Sequence, residues 1–319
     1  MRAIGFEEFG GPEVFKELNL EEPHAGAGQI RVRVHAAAVS PSDSVSRSGG
    51  LLAMMRKIQP DFDFPPPPWT VGWDVAGTVD EIGPDTDTTL TVGDRVIAIT
   101  SPMALRGTYV EYLVAPAESV VAAPTNVDDA AASTIPMNGL TARLALDSLA
   151  LPAGATIAVT GAAGIFGGFT VQLAKADGLR VVADSSEADE ALVKELGADL
   201  IVRRGDDVAK NIREVVPDGV DGLVDGSVQD DALTPAVRDN GTIVTVRNYS
   251  GSTDRGISWK PVLVNSYLTE RAKLARLVEQ VESGELTTRV AGTYPVSQAA
   301  DAHRRMEAGG LRGRLVLTI

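Results

Sequence analysis

The chain has no cysteine, only three histidines, few aromatic residues, a deficit of basic charge and no long apolar run. Each shortage excludes something. Without cysteine there is no disulfide, no thiol nucleophile and no thiolate-held metal. The 29 Lys and Arg against 43 Asp and Glu leave a net charge of −14. That charge repels phosphate backbones and anionic lipid, so neither nucleic acid nor a membrane surface is expected as a partner. No stretch approaches the ~18 apolar residues of a membrane span. The opening MRAIGFEEFGG lacks the apolar core of a secretory signal, and a cytoplasmic location is expected. His24, His35 and His303 are scattered over a loop, a strand and a helix, so they are expected at the surface and no metal site is expected.

What is present is an ordinary globular composition, 44% hydrophobic over 319 residues, long enough for two domains. In QIRVRVHAAAV, Ile30, Val32 and Val34 alternate with Arg31, Arg33 and His35, the period of a half-buried strand. VAGTVDEIG and GDRVIAIT predict further strands. Between them DFDFPPPPWTVG is a stiff loop, because four prolines fit neither a helix nor a central strand. Beyond about residue 125 strands and helices alternate, which predicts a parallel doubly wound sheet. The strands are TIAVT, RVVAD, DLIV, DGLVDG and GTIVTV; helices are expected at FTVQLAKAD, EADEALVKELG and DALTPAVRD. A long helix from Tyr267, a strand at TYPV, a short helix at SQAADAHRRMEAG and a strand at GRLVLTI close the chain.

The stretch TIAVTGAAGIFGG places a glycine loop between a strand and a helix, as dinucleotide-binding βαβ units do. Its glycines, Gly161, Gly164 and Gly167, follow G-x-x-G-x-x-G, with Ala162 where a turn glycine usually stands. The alanine is tolerable if its φ stays negative. The loop then offers amide N–H groups at a helix N-terminus, where partial positive charge suits phosphate. Asp184 ends the next strand, 23 residues after Gly161, near the ~20 expected of a ribose-holding carboxylate, which would favour NAD. A solvated strand-end aspartate is the alternative. Ser185 and Ser186, with Arg203 and Arg204 at the end of the third strand, favour a 2′-phosphate instead, and cofactor choice stays open.

With these elements in view, the chain resembles the medium-chain dehydrogenase/reductase superfamily, in its zinc-independent quinone oxidoreductase (zeta-crystallin-like) branch. The resemblance rests on MRAIGFEEFGGPEVF, AAAVSPSDSVSRSG, VGWDVAGTVDEIG, VGDRVIAI, GTYVEYLVAP, NGLTARLAL, VTGAAGIFG with VQLAKA, and GRLVLTI, in family order over nearly the whole chain. It implies an α/β protein: a GroES-like β-barrel catalytic domain over 1–124, a Rossmann domain over 125–264, and a segment over 265–319 returning to the first. It implies hydride transfer from NAD(P)H, usually NADPH, to quinones or α,β-unsaturated carbonyls, without zinc and commonly in homodimers. The alternative is a cofactor-sensing protein with little turnover. Gly161, Ala162, Ala163, Gly164, Ile165, Phe166 and Gly167 match the family's pyrophosphate loop. Arg204 falls where relatives place a tyrosine beside the adenosine phosphate. Ser227 and Val228 match the strand end passing the ribose, Val246 and Arg247 the lining of the nicotinamide cavity, and Asn138 and Thr141 the residues meeting the nicotinamide ring.

The chain departs from the pattern at three places. Ser40 stands for the usual asparagine of an Asn-Pro pair, Val45 stands where many quinone reductases carry a tyrosine, and Trp73-Asp74 replaces the His-Glu pair of zinc-dependent members. The proton donor is therefore open. The candidate catalytic residues are Ser40, Asp43 and Trp73. Asp43 either orients Ser40 or Arg47 or caps a helix turn. Trp73 is either a wall over the nicotinamide or core. Asp74 is expected to be a buried carboxylate paired with Arg47 or an amide. Tyr109 and Tyr112 are expected to share no neighbours and show no clear role. Met54, Met55 and Phe62, in SGGLLAMMRKIQPDFDFPPPPW, suggest an apolar loop lid.

Overall fold

In the computed structural model, which describes residues 1–101, 103 and 105–319, the chain begins with β1 (Arg2–Gly5), β2 (Lys16–Asn19) and β3 (Gln29–Ala38). There follow α1 (Pro41–Arg47), α2 (Gly50–Ile58), β4 (Asp74–Ile82), β5 (Arg95–Ile99), β6 (Tyr112–Pro116), β7 (Val120–Ala122), α3 (Asp129–Ala132) and α4 (Pro136–Leu149). The middle of the chain is β8 (Thr156–Thr160), α5 (Ile165–Ala176), β9 (Arg180–Ser185), α6 (Glu190–Glu195), β10 (Leu200–Arg203), α7 (Val208–Val215), β11 (Val220–Asp225), β12 (Val237–Thr245) and β13 (Ser258–Pro261). The last elements are α8 (Arg271–Glu282), β14 (Val290–Pro295), α9 (Ala299–Glu307) and β15 (Arg314–Thr318).

These elements form two units: Met1–Met137 with Leu268–Glu282 and Thr288–Ile319, and Asn138–Tyr267 with Ser283–Thr287. The first boundary lies at Met137/Asn138 rather than at 124/125, because the intervening residues bond to the barrel unit. Arg95 and His35 both hold Asp129, and Thr125 donates twice to Glu282 of α8. Leu268 joins the same unit through its carbonyl, which accepts from the Ser119 hydroxyl.

The first unit is built around β3. Its alternation is as the sequence predicts, with Ile30, Val32 and Val34 buried. One edge of β3 pairs with β4 along most of its length; the other pairs with β6 over Gln29–Arg33 and with β15 over Ala36–Ala38. Changing partner halfway bends the seven-stranded sheet, ordered β14-β15-β3-β4-β5-β7 with β6 branching from β3, around one apolar interior. An aromatic cluster closes its end: Phe6 lies edge-on to Phe15 and Trp69, and Phe9 stacks on Trp69 at 4.7 Å. The proline loop is stiffened further, since the Trp69 indole donates to the Pro65 carbonyl.

The second unit is a six-stranded parallel sheet in the order β10-β9-β8-β11-β12-β13. The strand order reverses between β8 and β11, so the crevice where ligands bind doubly wound sheets opens beyond their C-terminal ends. Both turns that matter here, after β8 and after β11, stand at that point.

Some elements differ from the sequence reading. LLAMMRKI forms α2 rather than loop, because eight good helix formers separate the flanking glycines from Pro60. Leu51 is buried there, while Met54 and Ile58 are exposed. α7 was not expected, its apolar face being only Val208, Ala209 and Ile212 among polar residues, and β13 was not expected either. DALTPAVRD is a 3-10 turn over Asp230–Ala236 followed by strand, since Pro235 cannot sit inside an α-helix. Among the described residues no helix is long and apolar enough to cross a membrane.

Candidate cofactor site and a buried polar network

The glycine loop begins where β8 ends. Gly161 takes the left-handed conformation, φ 69°, and Ala162 does not, so the turn is made one residue before the alanine and the β-carbon costs nothing. Gly164 caps α5 with φ −70°, its N–H donating to the Gly161 carbonyl. The first-turn amides of Ile165, Phe166 and Gly167 then have no intrahelical acceptor. The glycines have separate tasks. A β-carbon on Gly167 would lie 2.3 Å from the Gly161 carbonyl oxygen, so that glycine permits the helix to meet the strand. A β-carbon on Gly164 would meet only that same oxygen, at 3.1 Å. Beyond it is open space: a cradle of backbone that a side chain would fill, at a helix N-terminus, which fits a pyrophosphate.

Neighbouring strand ends complete this site. Asp184 is buried, 4% exposed, and its Oδ1 accepts from the Ala162 N–H at 3.0 Å. Ser185 is buried and Ser186 half-buried, while Arg203 and Arg204 are exposed, the Arg204 N–H donating to the Ser185 carbonyl. At the end of β11, Asp225 is 1% exposed and saturated by donors. Its Oδ1 accepts from the Thr160 hydroxyl and from Ser227 N–H and Oγ, and its Oδ2 accepts from the N–H groups of Gln229 and Asp230. Those bonds hold Val228 and Asp230 at positive φ, 59° and 53°, costly for a β-branched residue. Val246 is half-buried and Arg247 exposed beyond β12. On α4, Thr141 is half-buried one turn after Asn138, whose buried Nδ2 has no hydrogen-bond partner.

In the barrel unit, Ser40 and Asp43 bracket the N-terminus of α1. The Ser40 N–H donates to Asp43 Oδ2 at 2.7 Å and the Asp43 N–H to the Ser40 carbonyl. Asp43 is fully buried and also accepts from the Gly72 N–H and the Tyr109 hydroxyl. The bonds continue: Tyr109 Oη lies 3.1 Å from His303 Nε2, and Arg47 Nη1 lies 2.9 Å from His303 Nδ1. Arg47 can only donate, so Nδ1 accepts and the ring proton sits on Nε2, facing Tyr109. Arg47 then reaches Glu307. The Ser40 hydroxyl is buried between Ser42 Oγ and Met137 Sδ.

Of the two partners expected for Asp74, the amide is the one present: Asp74 takes the Met137 N–H and faces Arg314 rather than Arg47, the Arg314 Nε donating to the Val39 carbonyl. Two expectations are corrected here. His303 is fully buried rather than at the surface, because Phe15 and Tyr109 pack edge-on against it. Tyr109 has a definite place, and it is absent from the sequence candidates along with His303, Arg47, Arg314 and Asp225. Trp73 is buried, with its indole N–H unpartnered, and Val45 is 47% exposed.

Burial pushes the Asp43 carboxyl up to about 7 and the Asp74 carboxyl up to about 6, with Arg314 opposing both. Burial, and then the Arg47 charge, push His303 down to about 3. The folded chain therefore holds the carboxyl protons more tightly than the unfolded chain does. The stability they contribute is complete below about pH 4 and is lost as pH rises through 6 and 7. His303 has the opposite sign, contributing above pH 6.5 and losing that as pH falls towards 3. Asp43→Asn keeps an acceptor but cannot titrate. Its melting temperature relative to the parent is expected to climb by several degrees between pH 4 and pH 7; a pH-independent difference would place the titration elsewhere. In the other unit, Gly164→Val is expected to keep the parent melting temperature and lose nucleotide binding, whereas Gly167→Val is expected to lose the fold. Thermal scans and calorimetry on both variants check this.

Comparison with known proteins bears on both halves. Residues 26–125 match the alcohol dehydrogenase GroES-like domain, and residues 196–317 match the zinc-binding dehydrogenase family. An NADPH-dependent alkenal/one oxidoreductase of Arabidopsis thaliana, chloroplastic, is 30% identical over 99% of this chain and 79% of its own length. A quinone oxidoreductase of Sus scrofa is 29% identical over 100% and 98%. Among solved structures, the quinone oxidoreductase from Coxiella burnetii superposes with a TM-score of 0.85 at 25% identity, covering 100% of this chain and 99% of that one. A mycobacterial protein solved in complex with NADPH gives 0.84 at 27% identity, over 100% of both. The GroES-like barrel, the parallel Rossmann-type sheet and whole-length relatives agree: the chain belongs to the medium-chain dehydrogenase/reductase superfamily, in its quinone oxidoreductase branch, and is an oxidoreductase.

Proposed function

We propose that the chain is a metal-independent, NADPH-dependent reductase of quinones or α,β-unsaturated carbonyls. The observation that carries this is the open backbone cradle at Gly164, placed at the switch point of the sheet. The first-turn amides of α5 would hold the pyrophosphate. Ser227 and Val228, fixed by Asp225, stand where a ribose passes, and the unpartnered Asn138 Nδ2 offers a donor to a carboxamide. When bound, the nicotinamide supplies a hydride. The whole-length relatives named for alkenals and quinones support the substrate class.

Metal independence rests on the donor set. Where zinc-dependent members carry His-Glu, this chain has Trp73 and an Asp74 already committed to Arg314 and the Met137 amide. A quinone or enone delocalises incoming charge onto its oxygen, so a Lewis acid is not required. With Val45 at the tyrosine position and the Ser40 hydroxyl buried, the proton comes from water. The same reading includes a homodimer, supported by β13 lying at the outer edge of the sheet with Leu263 exposed beyond it.

The test is turnover of 1,4-naphthoquinone and of a medium-chain enone with NADPH, before and after exhaustive chelation. Unchanged activity is expected. Activity lost to chelator and restored by zinc would overturn the mechanism. Binding without turnover would leave a cofactor sensor. Separately, Arg204→Ala is expected to weaken NADPH binding by about 1–3 kcal/mol, the scale of one charge-assisted hydrogen bond, and to leave NADH nearly unchanged. Equal losses measured by calorimetry would remove Arg204 from that role.

A further inference from the structure

The spacing of Asp184 marks it as the carboxylate that would hold the adenosine ribose, but its surroundings point elsewhere. A ribose-reading carboxylate needs oxygens directed at the crevice. Asp184 is almost wholly covered, its Oδ1 is occupied by the Ala162 N–H, and the Gly161 N–H also faces the carboxyl. We propose that Asp184 is a positioning residue of the glycine loop and takes no part in reading the ribose, so that the choice between NADPH and NADH passes to Ser185, Ser186 and Arg204. The assignment rests on the cofactor reading above.

The two amides that Asp184 faces belong to the loop's left-handed residue and the residue after it. Tying them from β9 fixes the direction in which the chain leaves β8, and so where α5 presents its free N–H groups. Asp225 grips the same root from the opposite side, through the Thr160 hydroxyl and the turn after β11. A β-carbon on Gly161 would lie 2.9 Å from Gly226, so the two turns leave no slack between them.

The charges around Asp184 agree with a structural place. Burial raises its carboxyl above the usual range. The loop amides and the Arg204 guanidinium pull it back down, and the Asp225 carboxylate pushes it up. Side chains alternate along a strand, so Ser185 projects away from the loop side that Asp184 occupies. The Ser185 hydroxyl donates to the Ser186 carbonyl, and the Ser185 carbonyl takes the Arg204 N–H. That brings two hydroxyls and a guanidinium to the strand ends; the carboxylate among them is that of Asp189, which accepts from the Ser186 hydroxyl, and not that of Asp184.

Two variants separate the roles. Asp184→Asn keeps the Oδ1 acceptor and removes the charge, while Asp184→Ala removes both. Asp184→Ala is expected to weaken NADPH and NADH together by about 10-fold, the scale of one hydrogen bond to a charged group. It should also speed hydrogen exchange at the Ala162 amide in the unliganded protein. Asp184→Asn is expected to restore slow exchange and most of the affinity, with the NADPH-to-NADH ratio unchanged. A ratio shifted about 10-fold towards NADPH in Asp184→Asn would mean that the carboxylate does repel a 2′-phosphate, and would overturn the assignment. Exchange at Ala162 indifferent to Asp184→Ala would overturn it as well. If the unmodified chain binds neither cofactor, the proposed function fails, and the exchange comparison alone then upholds or overturns the place of Asp184.

Discussion

A carboxylate withdrawn from water has to be met by donors, and four such groups organise this molecule. Asp43 gathers Ser40, Gly72 and Tyr109; Asp74 takes the Met137 N–H and faces the Arg314 charge; Asp184 ties the glycine loop; Asp225 saturates itself on the turn after β11. None of the four lies in the middle of a helix. Each sits at the end or start of a strand or at the first turn of a helix, where backbone N–H groups lack partners. The carboxylates thus solve two problems together: they complete backbone hydrogen bonding in turns, and they fix those turns in one shape.

In the Rossmann-type unit that shape is the proposed cofactor site. The anion cradle is made of backbone, with little side-chain chemistry, so its geometry depends on how rigidly the turns are held. Asp184 and Asp225 approach the root of β8 from the strands on either side. Negative charge beneath an anion site looks self-defeating. The donors that saturate these groups offset it, and the helix N-terminus faces outward with its partial positive charge. Val228, kept in the left-handed region by the Asp225 bonds, shows how firm the hold is.

The sequence disclosed the parts of this arrangement that are local. Alternation in β3, the strand–loop–helix order around Gly161 and the parallel sheet all follow from short periods, and the structure has each of them. What stayed hidden was pairing at a distance. Tyr109 lies 66 residues from Asp43 and 194 from His303, so no window of sequence contains the network. Asp184 shows a related limit: spacing marks a strand end but not the way its side chain faces, and its bond to the Ala162 N–H had no local signal. Asp225 had a visible signal, an acid closing an apolar strand before Gly-Ser, although nothing local says that five donors converge on it. α7 was hidden because a helix covering a sheet edge needs only a narrow apolar face.

The barrel unit is assembled from three separate stretches of chain, and the last of them supplies both β15 and Arg314. This imposes an order on synthesis. When β3, α1 and β4 leave the ribosome, Asp43 and Asp74 exist without their cation, and β3 lacks the strand that covers Ala36–Ala38. The Rossmann-type unit, complete by Thr287, can fold while those acids are still waiting. The nascent barrel must therefore keep two carboxyl groups solvated, and its interior open, until β15 arrives to close it.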